Sequence, residues 1–486
     1  MNSIREKTAI QIDLLKLFSV LWFLAKLFSL SQTKFAIAII ELQFSAIFLI
    51  PIVIACVVGL LRPSSIRCLV AVAILYCIYF LYSLPNSSNH RIMFFMVDVT
   101  IISVYVWQWA HGEDSRRNRK AFFEAFAPVG RYLLLMMYFY GTFHKLNTDW
   151  LNPEVSCGIV AINTILKPLG LNGLVTDMTA IYGTLILEAA AIFFLCTPRL
   201  KYLGFLIGIP FHLMIALFPM SWFMGFSAMV LAFYSLFLPD SFGDRLSEFI
   251  TRITPYRRTL VIIILVGLIG FSVVLIGANI YGPASGSQLV AGIGKNTYWV
   301  FVSGLFVSIG VTYLALVLKL TFGLHSPTTW RYWVPRPMAL LVLPVIFFVN
   351  GFAPYIGLKT QATFSMFSNL HTEGGKTNHI FFNKPSYLFN YQSEIVHVLE
   401  APPEFVRRSQ AQARRRPDGR FTLVGFDFWD YLHRYPSTFV TYVDRTGIHK
   451  LERAEAVLRD HPLPWVLRKI FAFKPVDFTR PKICSN

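Results

Sequence analysis

The sequence predicts an all-α polytopic membrane domain with about eleven transmembrane helices, followed by a small C-terminal α+β extramembranous domain. Hydrophobic residues make up 55% of the chain and charged residues only 14%, whereas a soluble globular domain carries about 25% charged residues. The composition turns polar only after residue 357, where the last apolar run has ended. These observations exclude a single soluble domain, a disordered chain and a small secreted domain.

Apolar runs of about 20 residues have the length that crosses the hydrocarbon core of a bilayer as a helix. We place such runs at residues 8–30, 35–61, 67–85, 92–110, 126–144, 174–196, 200–219, 222–239, 259–281, 297–319 and 334–355. The first run is interrupted by Asp13, Lys16 and Lys26, so it could instead lie in the membrane interface. No small-residue cleavage site follows it, which favours a retained helix over a removed signal peptide.

The basic residues of the loops predict the orientation, because cytoplasmic loops of membrane proteins are enriched in Lys and Arg. With the N-terminus inside, the inner loops contain Arg5, Lys7, Arg62, Arg67, Arg116, Arg117, Arg119, Lys120, Arg199, Lys201, Arg245, Arg252, Arg257, Arg258, Lys319, Arg331 and Arg336. The outer loops contain Lys34, Arg91, Lys145, Lys167 and Lys295. We therefore expect a multi-pass integral membrane protein with a cytoplasmic N-terminus and an extracytoplasmic C-terminal domain. The formal charge of +18 follows mainly from these loops, and no nucleic-acid partner is expected.

Residues 358–486 are the predicted extramembranous domain. Short β-like runs at 394–399, 421–426 and 438–443 and a helical pattern at 451–458 indicate a small α+β fold. The six cysteines suggest neither a disulfide nor a metal site. Four of them lie within or at the ends of apolar runs, namely Cys56, Cys68, Cys77 and Cys196. The other two, Cys157 and Cys484, are too far apart in sequence for a pairing to be argued, so we predict no disulfide and no metal ion.

Polar and ionisable residues within or at the ends of the apolar runs mark candidate sites, because such residues are costly in lipid. Those that stand out are Asn89, His90, Asp98, Lys145, Glu188 and His212. Lys145 ends the fifth run in an aromatic-rich stretch that also contains Trp150. It is either a snorkelling lysine at the membrane surface or a desolvated amine that acts as a base. Its neighbour His144 points about 100° away on a helix, so the two are not expected to face one pocket.

Glu188 and His212 are predicted to form a buried pair. The short turn Thr197-Pro198-Arg199 joins their helices, and helices joined in this way are antiparallel neighbours. At a rise of about 1.5 Å per residue, the two side chains lie within roughly 8 Å of each other in depth. The pair is either a structural contact or part of a site, and for Asp98 we favour a structural role.

The segment from Gly141 to Trp150, with Lys145 at its centre, resembles the lysine motif of the vitamin K-dependent gamma-carboxylase family and its bacterial relatives, the horizontally transferred transmembrane domain proteins. The upstream pair Asn89-His90 is also similar to this family. So is Glu188, which lies 24 positions before the histidine of Phe211-His212. The resemblance covers roughly residues 8–240. It predicts a carboxylase-like transmembrane domain at 1–240, additional transmembrane helices at 241–357 and the extracytoplasmic domain at 358–486.

The resemblance implies that Lys145 is the base that deprotonates vitamin K hydroquinone or another isoprenoid hydroquinone. His90 would assist in the same site, oriented by Asn89. In the family, the deprotonated quinol takes up oxygen and leaves as its epoxide, and carbon dioxide adds to a carbanion formed on a protein glutamate. The implied cofactors are therefore a reduced quinone, O2 and CO2, with no metal. The implied partners are membrane lipid, the quinol and a protein glutamate. Glu188, His212 and Trp150 would support the pocket.

A second stretch, Phe364 to Gly375 followed by Asn378-His379, is similar to a segment that follows the membrane domain in many bacterial members. We expect residues 363–379, which include Glu373 and His379, either to fold over the outer mouth of the pocket or to act as a structural joint. The chain departs from the animal enzymes in having His144 where they have a second lysine. It also has three extra helices and a smaller, different tail, so protein carboxylation is less strongly implied than quinol-linked chemistry.

Two other functions are compatible with these residues. The chain could be a non-catalytic membrane protein that binds lipid or quinone, or that displays its outer domain to a partner. It could also be a transporter in which Glu188 and His212 relay protons.

Overall fold

The computed structural model describes residues 11–31, 46–85, 87–112, 118–167, 170–171, 173–217, 220, 223–256, 259, 262, 266–267, 269–270, 296–322, 332–365, 367–403, 405, 421–474, 476, 481 and 484. The helices of the membrane part are α1 (Leu14–Ser31), α2 (Ala46–Leu61), α3 (Ile66–Ser83), α4 (Asn89–Ala110), α5 (Arg119–Phe143), α6 (Cys157–Leu166), α7 (Asp177–Cys196), α8 (Lys201–Ile215), α9 (Met224–Ser235), α10 (Asp240–Ile253), α11 (Thr297–Thr321) and α12 (Val342–Phe352). Short 3-10 turns extend α12 at both ends, so that the span runs over Met338–Ile356.

Seven of these helical segments are long and apolar enough to cross a membrane, namely α1, α3, α4, α5, α7, α11 and Met338–Ile356. The number rises to eight in the described residues if α9 and α10, which meet at a bend of 104°, are counted as one broken span. This is the helix content of a multi-pass integral membrane protein.

The predicted number of eleven spans is not confirmed. The predicted runs 35–61, 200–219 and 222–239 correspond to α2, α8 and α9, which have only 16, 15 and 12 residues. The chain turns sharply after α9 because Pro239 lacks an amide hydrogen and disfavours a helical conformation in the residue before it. The predicted run 259–281 lies largely outside the described residues.

The loops assigned to one side of the membrane meet at one end of the bundle. Arg119, at the start of α5, donates to the two carboxylate oxygens of Asp13 at 2.6 and 2.7 Å and also to the carbonyl of Ser64. At the opposite end, the amide of Phe364 donates to Asn89 Oδ1 at 2.8 Å. We call these the Arg119 end and the Lys145 end of the bundle. Among the described helices, α1, α3 and α5 therefore begin at the Arg119 end and α4 begins at the Lys145 end.

The first helix lies within the bundle and not along its surface. Lys26 of α1 forms an ion pair with Asp98 of α4, and both side chains are fully buried. Trp22 Nε1 donates to the same carboxylate at 3.1 Å, and the Lys26 ammonium lies 3.3 Å from the centroid of the Tyr76 ring. These contacts connect α1, α3 and α4, which is the structural role expected for Asp98.

The C-terminal domain is built on a four-stranded antiparallel sheet. Its elements are β1 (Ile395–Glu400), β2 (Phe421–Val424), α13 (Gly425–Arg434), β3 (Val440–Asp444), β4 (Gly447–Leu451), α14 (Glu455–Leu458) and α15 (Trp465–Ile470). The strands lie in the order β2-β1-β3-β4. The α+β class and three of these strands are confirmed. The sequence did not indicate β4, an edge strand whose Ile448 is 72% exposed, nor α13, whose aromatic-rich start looked like a continuation of β2.

We predict that Asp98→Ala lowers the melting temperature of the protein in detergent strongly, because it leaves the Lys26 ammonium buried without its counter-charge. Breaking a buried ion pair destabilises a protein by about 3–5 kcal/mol. The matched control is Glu248→Ala, which removes a carboxylate from the exposed pair with Arg252 and is expected to cost less than about 1 kcal/mol. Removing both charges with Lys26→Met and Asp98→Ala should recover part of the loss. Equal melting temperatures for Asp98→Ala and Glu248→Ala would contradict the prediction.

Candidate functional site

Lys145 lies in a tight turn that directly follows α5. The amide of Lys145 donates to the carbonyl of Thr142 at 3.0 Å, which keeps the turn close to the helix end. Asn147 is fully buried, and its Oδ1 accepts from the amide of Trp150 at 2.8 Å. Its Nδ2 donates to the carbonyls of His144 and Ser368 at 2.7 and 2.6 Å. Asn147 thus fixes the turn that carries Lys145 and Trp150. Sequence reasoning missed it, although it lies inside the motif.

The ammonium of Lys145 forms an ion pair with Glu188, which lies near the middle of α7. Nζ is 2.5 Å from each carboxylate oxygen, and the two side chains are only 8% and 12% exposed. The ammonium also lies 5.2 Å from the centroid of the Trp150 ring. The carboxylate lies beside Gly141 of α5, where a Cβ would be 3.4 Å from Glu188 Oε2, an ordinary van der Waals distance. The lysine of the motif therefore makes this contact, and position 141 has room for a Cβ beside it.

The predicted pairing of Glu188 with His212 is wrong. His212 Nε2 instead lies 2.7 Å from the hydroxyl of Tyr138, which in turn lies 2.9 Å from the hydroxyl of Tyr234. Position 208 has to be a glycine for this arrangement, since a Cβ there would lie 1.6 Å from the Tyr234 hydroxyl. The similar depth of Glu188 and His212 in the membrane was a weak criterion for contact, because the rotation of each helix about its axis decides which way its side chains point. Tyr138 could not be recognised among the many aromatic residues of α5.

A cavity of about 390 Å³ brings most of the predicted site residues together. Its lining includes Asn89, Lys145, Trp150, Glu188 and His212. The rest of the wall is mainly apolar and comes from α5, α6, α7 and α8, from Met220, Phe223 and Phe226, and from Phe364 and Phe367. The Lys145–Glu188 ion pair therefore lies in the wall of a mainly apolar cavity, a composition typical of a site for a small amphiphilic molecule.

Three predicted site residues, His90, Glu373 and His379, do not line this cavity. His90 points elsewhere, with Nδ1 at 3.1 Å from Ser88 Oγ, because successive helical residues point about 100° apart and Asn89 faces the cavity. Glu373 is buried, and its carboxylate lies 3.0 Å from His371 Nδ1. Lys145, Asn89 and His90 were expected in one pocket. The structure brings only Lys145 and Asn89 together there.

His379 supports the end of α5 without lining the cavity. Its Nε2 donates to the carbonyl of Phe143 at 3.0 Å, and its Nδ1 accepts from the amide of Phe381 at 3.2 Å. Burial lowers the pKa of His379, which agrees with the neutral ring that these two hydrogen bonds require. In the structure His379 has the contacts of a joint between the bundle and the segment that follows it.

The segment 363–379 does fold against the cavity, where Phe364 and Phe367 form part of the wall. Four non-glycine residues in or next to its first part have a positive φ of 53–62°, namely Ala362, Phe364, Phe367 and Asn369. Each such conformation costs about 1 kcal/mol or more and is retained only where the surroundings enforce it. Two hydrogen bonds hold the segment in place here. The amide of Phe364 donates to Asn89 Oδ1, and the amide of Cys157 donates to Asn369 Oδ1 at 2.9 Å.

The prediction that the chain has no disulfide is wrong. Cys157, at the start of α6, is bonded to Cys484 near the C-terminus, and the two Cα atoms are 4.8 Å apart. Cys157 lines the cavity, and both cysteines belong to the same buried hydrophobic cluster as Trp150 and Ile181. Sequence separation is no obstacle to such a bond, because folding alone decides which cysteines meet. No group of three or more His, Cys, Asp or Glu residues that could hold a metal ion occurs in the described part of the chain.

Comparisons of the chain with protein-family models, with curated proteins and with solved structures give no match. The resemblance of the lysine motif to the carboxylase family therefore stays a prediction.

We predict that alkylation of the unfolded, unreduced protein modifies four cysteines, Cys56, Cys68, Cys77 and Cys196, which are unpaired in the structure. Reduction before alkylation should raise the number to all six cysteines. In the control variant Cys157→Ser, Cys484 should be modified without reduction. Mass spectrometry of the intact protein counts the added groups. Six modified cysteines in the unreduced protein would disprove the disulfide.

Proposed function

We propose that this protein is a multi-pass membrane enzyme that oxygenates a reduced isoprenoid quinone, with Lys145 as the base and with carboxylation of a glutamate as a step that can follow. The observation that carries the proposal is the buried Lys145–Glu188 ion pair in a mainly apolar cavity between membrane helices. The resemblance of the Gly141–Trp150 segment to the vitamin K-dependent gamma-carboxylase family supplies the reaction class.

The cavity suits the amphiphilic character of an isoprenoid hydroquinone. Its volume of about 390 Å³ lies in the usual range of sites for small organic molecules. The apolar walls of α6, α7 and α8 would contact the ring and the first part of the tail, while Lys145 and Glu188 offer the polar contact that a ring hydroxyl needs. Asn89, which also lines the cavity, adds a side-chain amide to this polar end.

The ion pair also supplies a route to a neutral lysine. An ammonium group holds its proton and cannot accept another, so Lys145 has to transfer this proton before it acts as a base. Glu188 lies at hydrogen-bonding distance and can accept it. The free amine of Lys145 can then take the proton of the hydroquinone hydroxyl.

We propose that the Lys145 end of the bundle and the C-terminal domain face the extracytoplasmic side. Of the basic residues in the loops between the predicted spans, most belong to the loops predicted to be cytoplasmic, and Arg119 is one of them. The disulfide gives independent support, because Cys157 lies at the Lys145 end and disulfides persist mainly in oxidising compartments.

A second candidate function is non-catalytic binding of a quinone or lipid. It is favoured by the fact that Lys145 is neutralised by Glu188 in this structure, so that a purely structural ion pair would look the same. The transporter hypothesis has lost its basis, because Glu188 and His212 have different partners.

We predict that the purified protein consumes oxygen and forms an epoxide when it is supplied with vitamin K hydroquinone. Lys145→Met should reduce this rate about 10²–10⁴-fold, which is the usual contribution of a general base. The control Lys384→Met removes an exposed lysine of the same end of the molecule and should have no effect. Binding of the oxidised quinone is measured separately for each variant. Binding without turnover in the wild type, with several quinones, would favour the second candidate.

We predict that a cysteine at Ser437, an exposed residue of the C-terminal domain, reacts in intact cells with a thiol reagent that does not cross membranes. The experiment uses a chain in which the four unpaired cysteines are replaced by serine. A cysteine at Ser64, an exposed residue of the Arg119 end, is the control and should react only after lysis. The reverse pattern would overturn the proposed orientation.

A further inference from the structure

A second cavity, of about 570 Å³, lies between the turn from α3 to α4 and the C-terminal domain. Its lining includes Arg91, Arg434, Arg468 and Lys469, together with aromatic residues such as Tyr79 and Trp465. Among the described residues that form this lining, none is acidic. We call it the basic cavity. It shares no lining residue with the cavity at Lys145.

The positive charge of the basic cavity is only partly balanced. Arg434 and Arg468 both pair with the carboxylate of Asp430. Arg91 donates to the hydroxyl of Tyr79 at 3.3 Å, and Lys469 donates to the carbonyl of Leu84 at 2.9 Å, so the recorded partners of these two cations are neutral. Four basic side chains and one carboxylate leave a formal charge of +3 around the cavity. Such a cluster is suited to a phosphate group, since Arg and Lys are the usual ligands of phosphate oxygens.

The position of the basic cavity places it at the membrane surface. Its wall includes Ser83 and Leu84, at the end of the membrane span α3, and Arg91 in the first turn of the span α4. The short helix α15 contacts this turn through Lys469 and leaves Trp465 68% exposed and Val466 54% exposed. Tryptophan is enriched at membrane–water interfaces, where its apolar ring meets lipid and its N–H meets the headgroups. A lipid layer that reaches the end of α3 would cover these exposed residues.

We propose that the basic cavity binds the phosphate of an anionic phospholipid headgroup, with the apolar residues of α15 inserted beside it at the edge of the acyl chains. Arg91 and Lys469 contact the phosphate from the bundle and from the C-terminal domain, so the bound lipid joins the two parts. The exposed apolar residues of α15 favour a lipid over free phosphate, because free phosphate would leave them in water.

The test measures binding of phosphatidylglycerol and phosphatidylcholine to the purified full-length protein in detergent by native mass spectrometry. The double variant Arg91→Gln/Lys469→Gln removes the two cations that have neutral partners. The double variant Lys450→Gln/Arg453→Gln, on the exposed surface of the same domain, removes the same charge elsewhere. We expect phosphatidylglycerol to bind more tightly than phosphatidylcholine. Arg91→Gln/Lys469→Gln should weaken phosphatidylglycerol binding about thirtyfold, as expected for the loss of two basic residues at an anionic membrane surface, and the control should not.

The proposal would be overturned if the two lipids bound equally tightly. It would also be overturned if both double variants lost phosphatidylglycerol binding to the same extent. A further arm adds an excess of inorganic phosphate. Soluble glycerol phosphate is added as a second competitor. If the two competitors displace phosphatidylglycerol equally well, and Trp465→Ala leaves lipid binding unchanged, the site binds a free phosphate group and the lipid assignment is wrong. The melting temperatures of all variants are measured as a control for folding. The charge-conserving double variant Arg91→Lys/Lys469→Arg should retain lipid binding, because it keeps both positive charges.

Discussion

The ion pair between Lys145 and Glu188 is the interaction around which the Lys145 end of the bundle is organised. Removing two charges from water costs several kcal/mol for each ion, and their attraction offsets this cost only if the contact is close. The contact of 2.5 Å connects α5 and α7 and requires the turn after α5 to hold its shape. Asn147 fixes that turn, so a single buried amide supports the charged centre of the cavity.

The cavity is closed by parts of the chain that are distant in sequence. The strained residues between 362 and 369 contact α4 through Asn89, and the disulfide brings the C-terminus to α6. These contacts differ in kind from the ion pair of Lys26 and Asp98, which connects helices close together in the first part of the chain. Strained backbone persists where its surroundings over-determine it, and such places are often functional. The wall formed by Phe364 and Phe367 is thus a part of the cavity that the structure maintains at a conformational cost.

The helical membrane class and the small C-terminal α+β fold could be predicted from the sequence, because apolar length and residue periodicity are local properties. The same local patterns identified Asn89, Lys145 and Glu188, since a polar residue in an apolar run stands out without knowledge of its partner. The partners themselves could not be predicted. Glu188 meets Lys145 and not His212 because helix rotation, which no run length encodes, sets the direction of each side chain. The disulfide was missed for the same reason, as it depends on where the last residues of the chain pack.

Two residues of the cavity wall retain an unsatisfied polar atom. Trp150 Nε1 and His212 Nδ1 are buried and have no hydrogen-bond partner among the described residues. A buried polar group left in this state costs about 1–3 kcal/mol, so a structure built for stability alone would be expected to satisfy or remove it. Both residues line the cavity in which we propose that a reduced quinone binds. The oxygen atoms of such a ligand are hydrogen-bond partners of the kind that these two nitrogens lack, whereas a purely apolar molecule of the same size offers none.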